Sequence, residues 1–502
     1  MAEREFDYII VGGGGSGAVL ARQLADALDA SVALVEAGPS DEGRAEVADL
    51  RRYREVAWEG PLSQRLAIQP PARGNPRVVY PAGRVLGGST SHNTCVWFRP
   101  PASDFAHWEA LGAMGWGPAE TGRCFEEIEA RVHVETLNPD SPAHRDMLQA
   151  ARELGFPDAD FAQPFDAGVG PYRLNKIGNL RQSASVTFLH PLAALPKNLT
   201  VLTDTEVSRL AYGPDGGVTG VETSRGLLQA RREVVLSAGA FGSPKLLMLS
   251  GIGPAADLQA VGLPVRRDLP GVGAHLLDHP ACALNAAAKR APERFGPWNY
   301  AGVLFARLLP ATAWPDIEMQ IGPELFEQET GPAGYPTAPA GFCAYFSVNR
   351  ARSEGSVRLA SPDPAAEVRI APNFFGDSEG HDLAVMIAGL RLTRRLFRAP
   401  SLAPWIGAEL APGADCQSEE ALGEFLHRTV TTGYHPAGTC RMGRPDDRRS
   451  VVGPDLRVLG VPRLRVADAS VFPAMVSVNI APTCMMVGAR AAEILARDAR
   501  AG

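Results

Sequence analysis

Three glycines near the start of the chain have the spacing with which a backbone can cradle a pyrophosphate. Gly12, Gly14 and Gly17 form a GxGxxG motif, and the acid Glu36 follows at the distance expected for a ribose contact. Gly12 allows a tight turn, Gly14 lets the backbone approach the phosphates, and Gly17 lets a helix pack closely on a strand. This pattern predicts dinucleotide binding, but the motif alone does not separate FAD from NAD.

The elements that would position these residues are visible as apolar runs around the motif. Residues 8–11 form a short run of strand length, and residues 32–35 form a second that ends at Glu36. Between the two runs, one helix face is indicated by apolar residues at helical spacing, namely Val19, Leu20, Leu24 and Leu28. This order is typical of a dinucleotide-binding βαβ unit and disfavours a glycine-rich turn that binds nothing.

Two histidines four residues apart have a spacing that suits a metal ion on a helix. They are His275 and His279, and no third ligand is evident nearby. Because two histidines do not fill a coordination sphere, we predict no metal site.

The composition is that of an ordinary globular chain long enough for two domains. Of 502 residues, 45% are hydrophobic and 21% are charged, and the net charge is -7 without a long basic run. Nucleic acid and anionic membrane surfaces are therefore not expected partners. The sequence shows no signal peptide and no apolar stretch that could span a bilayer.

The cysteines indicate the redox compartment. All seven are scattered, and none forms a CxxC pair. This distribution favours a reducing cytoplasm over a disulfide framework or a cysteine-based metal site. It does not decide between a monomer and a homodimer.

Four further sequence blocks follow the glycine motif. They are GRVLGGST at residues 83–90, GAFGSPKLLMLSGIG at 239–253, YHPAGTCRMG at 434–443 and LRVADAS at 464–470. In this order the five blocks resemble the successive signatures of the glucose–methanol–choline (GMC) oxidoreductases, and the likeness spans essentially the whole chain. The resemblance implies an FAD-dependent enzyme that needs no metal.

The resemblance also implies an α/β fold with two domains. A Rossmann-like FAD-binding domain would comprise residues 1–155, 183–286 and 431–502. An α+β substrate domain on an antiparallel sheet would comprise residues 156–182 and 287–430. Apolar patterns predict a helix over 383–397 and strands over 198–202, 207–211, 217–222, 232–237, 316–321, 341–346, 356–359 and 368–370.

The family motifs assign a set of cofactor-binding residues. By resemblance these are Gly12, Gly14, Gly17, Glu36, Arg84, Gly87, Gly88, His92, Asn93, Thr94, Val207, Asp468 and Ala469. In choline-oxidising members, the histidine that matches His92 is bonded covalently to the flavin 8-methyl carbon. A neutral imidazole can make such a bond, and the alternative is that His92 only hydrogen-bonds near the flavin. Val207 would contact adenine through its backbone, or serve as a core valine.

Two residues would carry the chemistry. His435 matches the family's catalytic histidine and can exchange a proton with an alcohol near neutral pH, and Asn479 matches the second catalytic position. The implied reaction oxidises a small primary alcohol to an aldehyde, with hydride passing to flavin N5 and oxygen giving hydrogen peroxide. A dehydrogenase with another electron acceptor, or a lyase or decarboxylase on the same fold, stays open.

The residues expected at the substrate end depart from the choline-oxidising pattern. The stretch 307–316 has no acid before Asp316, and Arg350 stands where those enzymes have a histidine. Choline is therefore not expected as the substrate. Arg350, Tyr345 and Tyr434 are the predicted substrate residues, and Arg350 suits a polar or anionic substrate unless it is a surface arginine in a turn.

Overall fold

The computed structural model describes residues 4–138, 141–163, 165–291, 302–310, 312 and 314–501. Residues 1–3 of the predicted FAD domain and residues 292–301 of the predicted substrate domain lie outside the described residues. So do residues 311 and 313, within the stretch 307–316 that departs from the choline-oxidising pattern.

The secondary structure alternates between strands and helices. The helices are α1 (Gly15–Ala27), α2 (Ala45–Ala48), α3 (Ala102–Ala110), α4 (Pro118–Glu129), α5 (Pro142–Glu153), α6 (Ala184–Phe188), α7 (Gly239–Leu249), α8 (Ala255–Ala260), α9 (Glu327–Thr330), α10 (His381–Phe397), α11 (Glu419–Thr429) and α12 (Ala481–Ala501). The strands are β1 (Arg4–Val11), β2 (Val32–Val35), β3 (Ser63–Ala67), β4 (Val79–Gly83), β5 (Glu135–Thr136), β6 (Gly168–Pro171), β7 (Arg173–Leu174), β8 (Lys176–Ile177), β9 (Leu180–Arg181), β10 (Leu199–Leu202), β11 (Val207–Tyr212), β12 (Val218–Thr223), β13 (Gly226–Leu236), β14 (Ile252–Gly253), β15 (Arg267–Asp268), β16 (Pro280–Ala288), β17 (Gly302–Ala306), β18 (Ile317–Gly322), β19 (Gly341–Val348), β20 (Ser356–Leu359), β21 (Val368–Ala371), β22 (Ile406–Ala411), β23 (Thr431–Thr432) and β24 (Leu464–Val466).

The first sheet carries the glycine motif. Its strand order is β10-β2-β1-β13-β12-β11, and β24 also pairs with β13. Strands β10, β2, β1, β13 and β24 run parallel, while β12 and β11 pair antiparallel. The four residues of β2 are all buried, as expected for a strand covered on both faces. The predicted βαβ unit is therefore confirmed as β1, α1 and β2.

Helix α12 closes one side of this sheet by packing on α1. A Cβ at Gly488 would lie 2.2 Å from the carbonyl oxygen of Ser16, so the two helices touch through bare backbone. The Ser16 hydroxyl donates to the carbonyl of Cys484 at 2.6 Å. The C-terminal helix is thereby fixed beside the helix that follows the glycine loop.

The second sheet is antiparallel and has two different faces. Its order is β22-β16-β19-β18-β17-β6, and β23 pairs with β16. Residues 317, 319 and 321 of β18 belong to the apolar core shared with α10, which covers the back face. Residues 318 and 320 alternate with them and therefore lie on the front face. The predicted fold class, an FAD-type α/β domain with an α+β domain on an antiparallel sheet, is confirmed.

The packing departs from the predicted grouping at four elements. Strands β20 and β21 form a two-stranded sheet of their own, and the N–H of Val357 donates to the carbonyl of Gly273 at 2.7 Å, away from the second sheet. Strand β16 lies inside the second sheet although residues up to 286 were predicted in the FAD domain. Helix α5 packs on the second sheet through Met147 and Leu148. Apolar spacing marks a strand or helix but not the sheet it joins.

No helix among the described residues combines the length and the apolarity that a membrane crossing requires.

Candidate active site

Two glycine turns face each other at the end of β1. Gly12 has a left-handed φ of 104°, and a Cβ there would lie 2.3 Å from the carbonyl oxygen of Ser237. A Cβ at Gly17 would lie 1.9 Å from the carbonyl oxygen of Gly12, and one at Gly88 would lie 2.8 Å from Cα of Gly14. Because side chains do not fit at these contacts, bare backbone lines the floor between the two turns.

This floor has the electrostatics of an anion site. Helix α1 starts at Gly15, so its free N–H groups and the positive end of its dipole point toward the floor. Glu36 closes one side, because its Oε2 accepts from the N–H of Gly13 and its Oε1 from the N–H of Gly38, each at 2.8 Å. Burial raises the pKa of the Glu36 carboxyl to about 7. The arrangement fits a pyrophosphate next to a ribose.

The next predicted cofactor residues lie at the same edge. The N–H of Thr205 donates to the carbonyl of Glu36 at 2.9 Å, which brings the chain that leads into Val207 beside Glu36. Gly87 has a left-handed φ of 89° in the second glycine turn. Arg84 pairs through Nη2 with Oε2 of Glu206 at 3.1 Å, at the rim of the site.

His92 is buried just after the second glycine turn. Its side chain is 4% exposed, and its Nδ1 has no hydrogen-bond partner among the described residues. Burial, together with the guanidinium of Arg181, lowers the pKa of His92 to about 3, so the ring is neutral. Oδ1 of Asn93 accepts from Nη1 of Arg181 at 2.8 Å, whereas Thr94 is exposed. An orphaned neutral imidazole nitrogen beside the cradle is a group that a flavin would satisfy.

Asp468 joins three distant segments under the site. Its Oδ2 accepts from the N–H of Gly239 at 2.8 Å and from the hydroxyl of Ser243 at 2.5 Å. The carbonyl of Ala469 accepts from the N–H of Gly438 at 3.0 Å. The start of α7, the 464–470 block and the 434–443 block are therefore held together where the sequence predicted cofactor residues.

A chain of hydrogen bonds connects the two predicted catalytic residues. Nδ2 of Asn479 lies 3.2 Å from Nε2 of His435. Nδ1 of His435 lies 2.8 Å from Nδ1 of His279, and Nε2 of His279 lies 2.8 Å from the carbonyl oxygen of Val476. The structure thus brings His435 and Asn479 into direct contact and adds His279 behind them.

The carbonyl at the end of this chain of hydrogen bonds determines which ring nitrogens carry protons. The carbonyl of Val476 can only accept, so Nε2 of His279 carries the hydrogen. Burial lowers the pKa of His279 to about 4, so its ring is neutral and its Nδ1 is an acceptor. Nδ1 of His435 must therefore be the donor, which leaves a lone pair on its Nε2. That lone pair points to the amide of Asn479.

Asp278 holds the backbone on both sides of the histidine pair. Its Oδ1 accepts from the N–H of His279 at 2.7 Å and from the N–H of His435 at 3.1 Å. Its Oδ2 accepts from the hydroxyls of Tyr80 at 2.8 Å and Thr432 at 2.5 Å. Burial raises the pKa of Asp278 to about 6. Four donors on one buried carboxylate make the position of His435 rigid.

The two predicted substrate tyrosines lie next to this pair. Tyr434 has a left-handed φ of 65°, and its ring meets Trp58 edge-on at 5.8 Å. A bulky residue in this region is strained, and strain of this kind collects at functional sites. The hydroxyl of Tyr345 donates to the carbonyl of Thr432 at 3.2 Å. Both tyrosines are therefore placed beside the catalytic loop.

Arg350 is placed differently from its prediction as a substrate ligand. Its side chain is 6% exposed, and its Nε donates to Oδ1 of Asp104 at 2.6 Å. Its Nη2 donates to the hydroxyl of Ser103 at 2.9 Å, and its guanidinium stacks 3.9 Å from the ring centre of Trp314. Asp104 also accepts from the N–H of Ser477 at 2.7 Å. Arg350 therefore satisfies a buried carboxylate rather than facing a ligand. Because Asp104 also binds the N–H of Ser477, the Arg350–Asp104 pair stabilises the loop that carries Asn479.

Sequence reasoning missed His279, Asp278 and Asp104 as parts of the site. The sequence suggests a role for His279 only as a metal ligand, together with His275. In the structure Nε2 of His275 lies 3.3 Å from the carbonyl of Pro473, so the two rings serve different contacts. Among the described residues, groups of His, Cys, Asp or Glu that could hold a metal are absent. The proximity of His279 to the YHPAG block had no local sequence signal.

Known proteins share this architecture along the whole chain. Models of the GMC oxidoreductase family match residues 6–281 and residues 351–488. The chain is 40% identical to choline oxidase of Arthrobacter globiformis, over 100% of this chain and 96% of that protein. It is 34% identical to the oxygen-dependent choline dehydrogenase of Rhizobium etli, over 97% and 95%. The crystal structure of pyridoxine 4-oxidase from Mesorbium loti superposes with a TM-score of 0.89 at 27% identity, over 97% of this chain and 98% of that one.

These matches confirm the resemblance found in the five sequence blocks and the requirement for FAD. The chain belongs to the GMC oxidoreductases, a family of FAD-dependent alcohol oxidoreductases.

Proposed function

We propose that this protein oxidises a primary alcohol to an aldehyde, with His435 as the base and Asn479 as the oxyanion donor. The observation that carries the proposal is the chain of hydrogen bonds that runs from Val476 through His279 to His435. It leaves an unprotonated Nε2 on His435 at 3.2 Å from the amide of Asn479. A hydroxyl that enters between the two groups donates to Nε2 and accepts from Nδ2.

The residues divide the reaction into two transfers. The hydroxyl proton moves to Nε2 of His435 while Nδ1–H stays hydrogen-bonded to His279. The amide of Asn479 stabilises the negative charge that develops on the substrate oxygen, as an oxyanion hole does. The glycine floor, Glu36 and the orphaned nitrogen of His92 fit FAD, which supplies a hydride acceptor when bound. Loss of one proton and one hydride converts the alcohol into the aldehyde.

The burial of His435 suits its role as the base. Desolvation, and then the neighbouring ring of His279, lower the pKa of His435 well below its ordinary value. The ring is therefore neutral at neutral pH and ready to accept a proton. A buried imidazolium is unfavourable alone but is stabilised by an alkoxide beside it, so proton transfer and alkoxide formation support each other.

Oxygen is the electron acceptor that we propose. One relative is named an oxidase and another an oxygen-dependent dehydrogenase. Dioxygen would take the two electrons and two protons released by the alcohol and leave as hydrogen peroxide.

Anaerobic mixing with a panel of primary alcohols tests the function. A substrate should bleach the yellow flavin absorption, and air should restore it with one peroxide formed per aldehyde. A product formed without bleaching, by a reaction with no net oxidation, would instead indicate a lyase or decarboxylase. Bleaching that air does not reverse would indicate a dehydrogenase with another acceptor.

We also propose that His92 is bonded to the flavin. Support comes from its burial, its neutral ring and the unused Nδ1. Acid-precipitated protein should then be yellow, and the His92→Ala variant should give a colourless pellet with free FAD in the supernatant. A colourless wild-type pellet would contradict the bond.

A cytoplasmic location completes the proposal. Six cysteines are free thiols, which agrees with a reducing compartment; they are Cys95, Cys124, Cys282, Cys416, Cys440 and Cys484. Fractionation of the source cells followed by immunodetection checks it, and detection outside the cytoplasm would contradict it.

A further inference from the structure

Glu318 is a buried acid with an unused oxygen on the front face of the second sheet. The residue is 2% exposed, and its Oε1 accepts from Nε2 of Gln320 at 3.1 Å. Its Oε2 has no hydrogen-bond partner among the described residues. Burial raises the pKa of Glu318 to about 7, although the hydrogen bond from Gln320 acts in the opposite direction and lowers it. A buried carboxyl left half satisfied is costly, so an additional partner is expected when the site is filled.

A second unused polar atom lies in the aromatic cluster beside this strand. The hydroxyl of Tyr172 is buried and has no partner in the described part of the chain. Its ring belongs to one apolar cluster with Phe305, and burial, and then the negative charge of Glu318, raise the pKa of Tyr172. Across the sheet Glu318 is paired with Phe305 on β17 and with Ser347 on β19. Glu318 and Tyr172 therefore converge beside an aromatic surface.

This surface is continuous with the catalytic loop. Phe305 and Tyr172 belong to one apolar cluster with Val478, the residue before Asn479. Oδ1 of Asn479 is also buried and, within the described residues, without a partner. Three unused polar atoms, on Glu318, Tyr172 and Asn479, are thus grouped around the cluster. The cluster therefore joins the catalytic loop to the face of β18 that carries Glu318.

Strand spacing agrees with a substrate of a few bonded atoms. Ala281 pairs with Ser347, and Ser347 pairs with Glu318, so two strand spacings of about 4.8 Å separate Ala281 from Glu318. His279 precedes Ala281 by two residues, which adds about 7 Å along an extended chain. The backbone positions of His279 and Glu318 are therefore about 12 Å apart, and their side chains shorten the gap.

Among the described residues at this end of the site, the ionisable group left without an ion pair is an acid. Arg350, predicted to bind an anion, is already paired with Asp104. Glu318 has no ion pair among the described residues. A protonated primary or secondary amine supplies both the positive charge and the N–H donor that Oε2 lacks, whereas a quaternary ammonium has no donor. The rings of Phe305 and Tyr172 suit a cation in addition.

We propose that Glu318 binds the ammonium group of a primary- or secondary-amino alcohol whose hydroxyl lies between His435 and Asn479. This inference rests on the proposed alcohol oxidation and names its substrate class. The substrate would differ from choline in carrying N–H donors, and it would differ from the anion suggested by Arg350 in the sign of its charge.

The wild-type holoenzyme provides the first test. Anaerobic flavin reduction is measured with ω-amino alcohols of increasing length and with the diols of matching length. At the best length the amino alcohol should have a kcat/KM about 10- to 100-fold higher than the diol, the effect of one hydrogen bond to a charged group. The N-trimethylated homologue should fall below the primary amine. Equal or better reduction by the diol overturns the inference and leaves alcohol oxidation intact, while the absence of reduction by every alcohol overturns the proposed function itself.

Variants of Glu318 test its role in binding the ammonium group. Glu318→Gln keeps the side-chain shape and removes the charge, so the amine-to-diol ratio of kcat/KM should fall by about 10- to 100-fold. Glu222→Gln removes an exposed carboxylate of β12 as the charge-matched control and should leave the ratio unchanged. If Glu318→Gln does not fold, competitive inhibition of the wild type decides. Primary alkylammonium ions should inhibit more strongly than alkanols of equal length, and the opposite order overturns the inference.

Discussion

Replacing His279 tests whether the second histidine sets the protonation state of the base. In the structure its Nδ1 accepts from Nδ1–H of His435 at 2.8 Å, and its Nε2–H donates to Val476. His279→Ala removes the acceptor and leaves a buried N–H on His435 unsatisfied. The ring can then turn or change tautomer, which takes the lone pair away from the substrate.

The expected loss follows from the cost of an unsatisfied buried donor. That cost is about 1–3 kcal/mol. Since about 1.4 kcal/mol is tenfold in rate, the rate constant of flavin reduction should fall by about 5- to 150-fold. FAD content should be normal, because His279 lies on the substrate side of the site.

Two isosteric variants separate the bonds of His279. The oxygen of Asn reaches the position of Nδ1, so His279→Asn can still accept from His435. The amide nitrogen of Gln reaches the position of Nε2, so His279→Gln can still donate to Val476 but places no acceptor at the position of Nδ1. We expect anaerobic stopped-flow reduction to be faster in the Asn variant than in the Gln variant.

The pH profile distinguishes this positioning role from a packing role. The base must be neutral, so the rate should fall as the pH drops through the lowered pKa of His435 and stay level above it. Removing the neighbouring ring admits water, which should raise the pKa of His435 toward its ordinary 6.5 and move the acid limb to higher pH. Reduction within about twofold of the wild type with an unmoved acid limb would refute the reasoning.

Three other substitutions have defined outcomes. Gly88→Ala should lose FAD, because its Cβ would lie 2.8 Å from the backbone of the first glycine turn. The control Gly43→Ala is also left-handed but has nothing within 4 Å, so it should keep FAD. The flavin-to-protein absorbance ratio measures both, and a flavin-loaded Gly88→Ala variant contradicts the cradle. Arg350→Ala should lower the free energy of unfolding by about 3–5 kcal/mol because it leaves the buried Asp104 carboxylate unpaired, and a calorimetric Tm equal to that of the wild type contradicts this. His435→Ala should retain FAD while kcat falls by about two or more orders of magnitude, and near-normal turnover contradicts its role as the base.

The cofactor end of the site was predictable because its signals are local. Gly12, Gly14 and Gly17 are close together in the sequence and lie in the same turn at the start of α1. Glu36 directly follows the adjacent strand β2. Steric demands on a single loop leave a pattern that can be read without knowing what packs around it. The fold class followed from the same kind of short-range pattern, carried through five blocks.

The substrate end was less predictable because its contacts join distant segments. His279 and His435 are 156 residues apart, and Arg350 and Asp104 are 246 apart. Arg350 alone suggested an anionic ligand, because a sequence shows a charge but not its partner. The structure supplies that partner, Asp104, so Arg350 no longer predicts an anionic substrate.

The sequence by itself determined the nucleotide-binding unit, the FAD-dependent family and the identity of the two catalytic residues as predictions. Only the tertiary structure decided which lone pair His435 presents and which charges are neutralised. It also decided that Glu318, on the front face of the second sheet, keeps one oxygen without a partner among the described residues. The physical reason is that hydrogen-bond satisfaction and desolvation depend on every neighbour in space. Those neighbours come from strands and loops whose order along the chain does not reveal their packing.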